Sequence, residues 1–183
     1  MRITGGALKG RKVKAPKGRG TRPTTDMLRK AVFDVLGPKE VSKVLDLYAG
    51  SGAFGFEALS RGAEEVVLVE KDKRTAELIK KNAESLGVKD RVKVLSLDAK
   101  RAIRVLAEKG KAFDLIFMDP PYGDVQKLPQ VLEEIILKEV LAKGGMLIIQ
   151  HPSRQDPPQI EGLSLKKTKT YGDSALSFFI REV

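Results

Sequence analysis

The sequence predicts an α/β protein built on a doubly wound, mostly parallel seven-stranded sheet, with a C-terminal antiparallel hairpin and a small basic N-terminal β-hairpin. Three observations predict it. Between Lys43 and Gln150 short apolar runs alternate with amphipathic stretches, the rhythm of a parallel sheet wound with helices. Runs such as Val66-Val67-Leu68-Val69 and Leu115-Ile116-Phe117-Met118 are apolar at every position, as strands covered on both faces are. After Gln150 the rhythm stops at Pro152, Pro157 and Pro158, and two strand-like runs follow. A chain of 183 residues, 42% of them hydrophobic, is long enough to bury one real core.

The first 25 residues carry eight basic side chains (Arg2, Lys9, Arg11, Lys12, Lys14, Lys17, Arg19 and Arg22) and no acid. Arg2 to Thr4 and Arg11 to Lys14 read as two short strands around a Gly-rich turn, so residues 1–25 form a basic arm and 26–183 the sheet domain. Thr24 or Thr25 caps the first helix, Asp26 lies in its first turn, and Met27, Leu28, Ala31, Val32, Val35 and Leu36 recur at helical spacing up to Gly37-Pro38. Strands are then predicted at Lys43–Tyr48, Glu65–Val69, Val92–Leu97, Phe113–Met118 and Met146–Gln150. Helices fall between them at Ala53–Arg61, Arg74–Leu86, Arg101–Glu108 and Leu128–Leu141. The closing hairpin pairs Ser164–Thr170 with Ala175–Ile180 through Tyr171-Gly172-Asp173-Ser174.

Composition excludes several chemistries. With no Cys and His151 as the one histidine, disulfides, thiolate nucleophiles and multi-ligand His or Cys metal sites are out of reach, and no metal is expected. No apolar run reaches the length of a membrane span, and the N-terminus lacks a signal-peptide pattern, so no membrane partner and a cytoplasmic location are expected. A formal net charge of +10 favours a polyanion such as nucleic acid.

The segment Asp46-Leu47-Tyr48-Ala49-Gly50-Ser51-Gly52-Ala53-Phe54-Gly55 is a strand, a Gly-rich turn and a helix. Gly50, Gly52 and Gly55 fit the G-x-G-x-x-G spacing of dinucleotide sites. The acids at successive strand ends discriminate between cofactors: Asp46, Glu70, Asp98 and Asp119. Such a ring suits S-adenosylmethionine, whose ammonium, ribose hydroxyls, adenine amine and sulfonium are donors or cationic, and it would repel a pyrophosphate. Any one of these acids could simply cap the following helix. That account is poor for all four together.

Asp119-Pro120-Pro121-Tyr122 ends the fourth strand. An exocyclic base amine is a weak nucleophile, and the Asp119 carboxylate with the Pro120 carbonyl can accept its N–H bonds and favour the cationic nitrogen that forms on methyl transfer. Prolines hold that backbone extended, and Tyr122 offers a face for a flipped-out base. The absence of Cys argues against methylation at pyrimidine C5.

Asp46 to Gly52 resembles the first motif of class I methyltransferases, and Asp119 to Tyr122 resembles the fourth motif of the amino-methylating branch. Arg22-Pro23-Thr24-Thr25-Asp26, Glu57-Ala58-Leu59-Ser60-Arg61-Gly62-Ala63 and Tyr171-Gly172-Asp173-Ser174 extend the resemblance across nearly the whole chain to the bacterial small-subunit (16S) ribosomal RNA guanine-N2 methyltransferases. Tyr48 stands where Phe is the commoner aromatic. The resemblance implies a metal-free monomer that uses S-adenosylmethionine and acts on guanine N2 in the helix 31 loop of 16S RNA in the small ribosomal subunit. It implies a cofactor site of Asp46, Tyr48, Ala49, Gly50, Ser51, Gly52, Phe54, Glu70, Lys71, Asp98 and Ala99, and a guanine site at Asp119, Pro120, Pro121 and Tyr122. RNA contacts are expected from Lys9, Arg11, Lys12, Arg19, Arg22 and Thr24. The rivals are a DNA adenine-N6 or cytosine-N4 methyltransferase, a nicotinamide-dependent oxidoreductase, and an idle RNA-binding module on the same fold.

Overall fold

The computed structural model describes residues 1–17, 25–37 and 40–183. In chain order the elements are α1 (Thr25–Leu36), β1 (Lys43–Asp46), α2 (Ala53–Ser60), β2 (Glu65–Val69), α3 (Lys73–Ser85), β3 (Val92–Leu95), α4 (Ala99–Glu108), β4 (Phe113–Met118), α5 (Leu128–Leu137), β5 (Leu141–Pro152), β6 (Leu163–Tyr171) and β7 (Ser174–Arg181). The strands make one sheet in the order β3-β2-β1-β4-β5-β7-β6. β1 to β5 are parallel, and β7 lies antiparallel between β5 and β6. The expected seven-stranded architecture holds. The strand order reverses between β1 and β4, and ligands of such sheets bind outside the carboxyl ends at that reversal.

Alternate residues along each strand enter different cores. Val44, Val66, Leu68, Leu115, Phe117 and Ile148 pack with α1, α2 and α3, whereas Leu45, Val67, Val69, Ile116, Met118, Leu147 and Ile149 pack with α4 and α5. Burial on both faces explains why the centres of these strands are continuous apolar runs. At Gly55 an added Cβ would lie 2.5 Å from a Leu68 methyl and 2.7 Å from Val66, so α2 can approach the sheet only with glycine there.

Several boundaries differ from expectation. β1 stops at Asp46 and β3 at Leu95, because Leu47 onward and Ser96 onward already turn toward the next helix. α4 starts at Ala99 rather than Arg101, since the Asp98 carboxylate accepts from the Arg101 amide at 3.0 Å and caps it. α5 ends at Leu137, and Glu139 takes a positive φ of 57°. Val140 and Leu141 are fully buried beyond that break, and Leu141 pairs with Phe113 as the start of β5. A register shift before Met146 then absorbs Ala142–Gly145. A 3-10 turn at Tyr122–Lys127, unforeseen in the sequence, leads into α5.

The N-terminal hairpin is narrower than two strands: a single antiparallel bridge joins Arg2 to Lys12, supported by Ile3 N–H to Arg11 O at 3.0 Å and Val13 N–H to Met1 O at 2.9 Å. Its apolar residues, Ile3 and Val13, are buried in the core. The turn rests on the end of α2, where Ser60 O accepts from Ala7 N–H at 2.8 Å and Ser60 Oγ accepts from Leu8 N–H at 2.8 Å. A Cβ on Gly6 would sit 1.9 Å from that carbonyl, so the contact requires glycine.

Behind this contact is Glu57, fully buried on α2. Its carboxylate accepts from Thr4 N–H at 2.9 Å and Gly5 N–H at 3.1 Å, and from Arg29 Nε at 3.4 Å and Arg61 Nε at 2.8 Å. Arg29 also donates to Arg2 O at 2.6 Å and to Asp26 at 2.7 Å, and Arg61 covers the Phe33 ring 5.0 Å from its centroid. The arm, α1 and α2 therefore share one desolvated anion. Removing one member of a buried ionic group costs about 3–5 kcal/mol because the remaining charges stay buried. Glu57→Leu is expected to lose stability on that scale in urea unfolding and to expose Arg11 and Lys12 to faster tryptic cleavage; an unchanged midpoint would mean that the arm's remaining contacts suffice to hold it.

Candidate active site

The ends of β1, β2 and β4 and the start of α4 surround a cavity of about 610 Å³. Of the predicted cofactor residues, Tyr48, Gly50, Glu70, Lys71, Asp98 and Ala99 line it, together with Asp119 and Pro121. Leu47, Val69, Leu97 and Val131 add apolar wall. The Glu70 carboxylate is built into the glycine turn: Oε1 accepts from Gly50 N–H at 3.2 Å and Oε2 from Asp72 N–H at 2.8 Å. Asp98 lines the cavity while capping α4. Lys71 and Asp124 approach to 3.6 Å across the mouth and join the end of β2 to the 3-10 turn.

The remaining predicted cofactor residues do not line the cavity. Asp46 is buried beneath it, and Ala49 sits in the core below the turn. The Ser51 carbonyl accepts from the Asn82 amide at 3.1 Å, and that same amide also donates to Lys14 O at 3.0 Å, so Asn82 ties the glycine turn to the basic arm. Gly52 is the left-handed residue that begins α2. Phe54 is stacked at 4.0 Å on Phe117 and at 5.4 Å on Phe33.

Asp119-Pro120-Pro121-Tyr122 forms a partition. Asp119 and Pro121 face the acid-lined cavity, while Pro120 and Tyr122 face a second cavity of about 710 Å³ on the other side. The second cavity is closed by Leu28 of α1, by Gln150 and His151 at the end of β5, and by Tyr171, Asp173 and Ser174 of the closing hairpin. Met27 and Tyr122 stand at its mouth, 62% and 75% exposed. Met27, expected on the buried face of α1, is thus a rim residue. The pairing of Met118 with Ile149 brings Asp119 and Gln150 out of neighbouring strands at one level. His151 is already partnered, to Ser177 Oγ at 2.7 Å and Pro152 O at 2.9 Å.

Gln150, His151, Asp124 and Lys127 were not among the predicted site residues. The sequence signal available for them was their adjacency to the Asp-Pro-Pro-Tyr strand and to the strand paired with it. Of the predicted RNA contacts, Lys9, Arg11 and Lys12 are exposed on the arm, and Arg11 reaches Ser85 O at 2.8 Å. Arg19, Arg22 and Thr24 lie outside the described residues. Among the described residues no cluster of three His, Asp or Glu could hold a metal ion, and no helix is long and apolar enough to cross a membrane.

Residues 1–180 match the model of the family described as "Conserved hypothetical protein 95". The chain is 34% identical over 186 residues to "Ribosomal RNA small subunit methyltransferase D" of Escherichia coli (strain K12), covering 100% of this chain and 90% of that protein. It belongs to this family. It is also 36% identical over 181 residues to "Putative rRNA methyltransferase YlbH" of Bacillus subtilis (strain 168), covering 98% of each. The solved structure of "Putative methyltransferase yhhF" from Escherichia coli superposes with a TM-score of 0.86 at 30% identity, over 100% of this chain and 98% of that one. The sheet is thus the class I methyltransferase sheet, with the antiparallel β7 inserted beside β5.

Within the family's site, burial pushes the Asp46 carboxyl up to about 8, with the charges of Asp119 and Glu70 adding to the rise against one bond from Tyr48 N–H. Burial, and then Asp124 and Asp98, raise the Tyr48 phenol and keep it neutral. A carboxyl raised on folding contributes stability below its ordinary value near 3.8, and that contribution is lost as pH rises through the folded value. The stability of wild type relative to Asp46→Asn is expected to fall between about pH 4 and pH 8 and level off above. Denaturant unfolding across that range checks it, and a flat difference would show that Asp46 is ionised in the fold.

Proposed function

We propose that this chain is an S-adenosylmethionine-dependent methyltransferase that methylates the exocyclic N2 amine of a guanine in 16S ribosomal RNA of the small subunit, in the helix 31 loop. The observation that carries the reading is the partition: one tetrapeptide separates an acid-lined cavity from a second cavity rimmed by Tyr122 and Met27. The name of the Escherichia coli relative supports ribosomal RNA as the substrate.

The donor set of the first cavity fits S-adenosylmethionine. Glu70, Asp98, Asp119 and Asp124 present acceptors, and Leu47, Leu97 and Val131 present a slot for a flat ring. A dinucleotide pyrophosphate would face the same carboxylates and be repelled. When bound, the cofactor supplies a sulfonium methyl as electrophile. Glu70 accepts from the ribose hydroxyls while holding Gly50, and Asp98 accepts from the adenine amine. Asp119 and the Pro120 carbonyl accept the N–H bonds of the target amine, orienting its lone pair and offsetting the positive charge that builds on nitrogen. Tyr122 stacks on the flipped-out base. Lys9, Arg11 and Lys12 bind phosphates and set the orientation of the RNA without reading its sequence.

Labelled cofactor offered with unmodified small subunits, naked 16S RNA and unmethylated DNA, followed by nucleoside mass analysis, tests the proposal. N2-methylguanosine is the expected product, and label in DNA as N6-methyladenine or N4-methylcytosine would replace the substrate. Asp119→Ala is expected to lower kcat at least about 100-fold with the cofactor Kd nearly unchanged. Glu70→Ala should raise that Kd about 10- to 100-fold, as calorimetry would read. In a salt titration of RNA binding, each of Lys9→Ala and Lys12→Ala should reduce the log–log slope by about 0.7–0.9; an unaltered slope removes the arm from the interface.

A further inference from the structure

We infer that Gln150 is a specificity-determining residue of the second cavity, its side-chain amide donating to an acceptor on the ring of the target base. The inference rests on the function proposed above and adds a residue to it.

Gln150 is only 6% exposed and lines the second cavity, yet among the described residues its Nε2 has no hydrogen-bond partner. Buried donors are almost always partnered, and leaving one unpaired carries the full cost of its desolvation. The neighbouring polar groups are satisfied among themselves: His151 is held by Ser177, Ser177 Oγ meets Thr168 Oγ1 at 3.0 Å, and Ser153 N–H donates to Asp173 O at 2.8 Å. Among the described residues the amide is therefore a buried donor without a partner, on a side chain that lines this cavity. Strand register puts it beside Asp119, the residue that would accept from the target amine.

A nucleobase held by its amine at Asp119 and Pro120 brings its remaining edge to the rest of this cavity. Guanine offers O6 and N3 there as acceptors. One amide donor at a fixed position distinguishes a base that places an acceptor opposite it from one that does not, because the mismatched base leaves the buried donor unpaired. Gln150 then acts as a reader and positioner, while the methyl transfer itself stays with Asp119 and Pro120.

The test compares wild type, Gln150→Leu and Gln150→Glu on unmodified small subunits, with cofactor binding and thermal unfolding of the ligand-free proteins measured in parallel. Both variants are expected to lose about tenfold or more in kcat/KM with an unchanged Kd for S-adenosylmethionine. The ligand-free Gln150→Leu protein should unfold at the same temperature as wild type or higher, since it no longer buries an unpaired donor. Substrate RNA carrying 2-aminopurine at the target, which keeps the amine and N3 but lacks O6, separates the two acceptors: a wild-type penalty that disappears in Gln150→Leu assigns O6, and its absence assigns N3. Wild-type kcat/KM in both variants overturns the inference, as does a loss of stability in Gln150→Leu that parallels its loss of activity. Failure of wild type to methylate any subunit or RNA would instead overturn the proposed function, and this reading with it.

Discussion

The buried Glu57 carboxylate is the constraint on which the accessory half of the molecule depends. It sits at the first-core face of α2 with no exposure, and its oxygens take two backbone amides of the arm and two arginines. A carboxylate so desolvated persists only when its lone pairs are filled, so the arm cannot leave without stranding a charge. Arg29 carries the constraint into α1, and α1 supplies Met27 and Leu28 to the second cavity. The basic arm and the α1 wall of the second cavity, distant in sequence from the Asp-Pro-Pro-Tyr strand, are both tied to this acid.

Asn82 makes a second tie of the same kind. Its amide bridges the Lys14 and Ser51 carbonyls, and its Oδ1 accepts from Lys14 N–H at 3.2 Å. The arm is therefore coupled to the glycine turn as well as to α2. Binding of a long polyanion to Lys9, Arg11 and Lys12 would load the backbone that holds that turn. Phe54, stacked between Phe33 and Phe117, makes the same connection from below, since it follows the turn, touches α1 and packs on β4 just ahead of Asp119.

The elements most legible in the sequence are those whose pattern has one physical cause. β2 and β4 were read to the residue because burial on both faces makes Val66–Val69 and Leu115–Met118 continuous apolar runs. The α5–β5 junction was misread because Val140 and Leu141 lie four residues beyond Ile136 and Leu137, a helical spacing, and nothing local announces the positive φ at Glu139. The acids of the site were legible as strand-end residues, but their division of labour was not. Glu70 and Asp98 reach the cavity, whereas Asp46 is buried beneath it, a difference of one strand-end turn that only the packed fold reveals. Gln150 was invisible for a related reason: a glutamine at a strand end is ordinary in sequence, and its missing partner exists only once β7 has closed over β5.

The two cavities differ in charge in a way that suits transfer from a cation to a neutral amine. Glu70, Asp98, Asp119 and Asp124 converge on the first cavity, and the charges of Asp119 and Glu70 add to the burial that raises the Asp46 carboxyl beneath it. A cationic ligand would relieve the repulsion among these acids, which is what the proposed sulfonium cofactor would supply. The second cavity has two acids, Asp156 and Asp173, among proline, tyrosine and methionine, and is lined by Gln150 with its unpartnered amide. Asp119 lies on the boundary, and in the proposed reaction it would serve both: its charge would add to the field that holds the cation, and as an acceptor it would stabilise the positive charge on the amine nitrogen. In that reaction the anion beside the partition would not need to move as positive charge builds on the nitrogen.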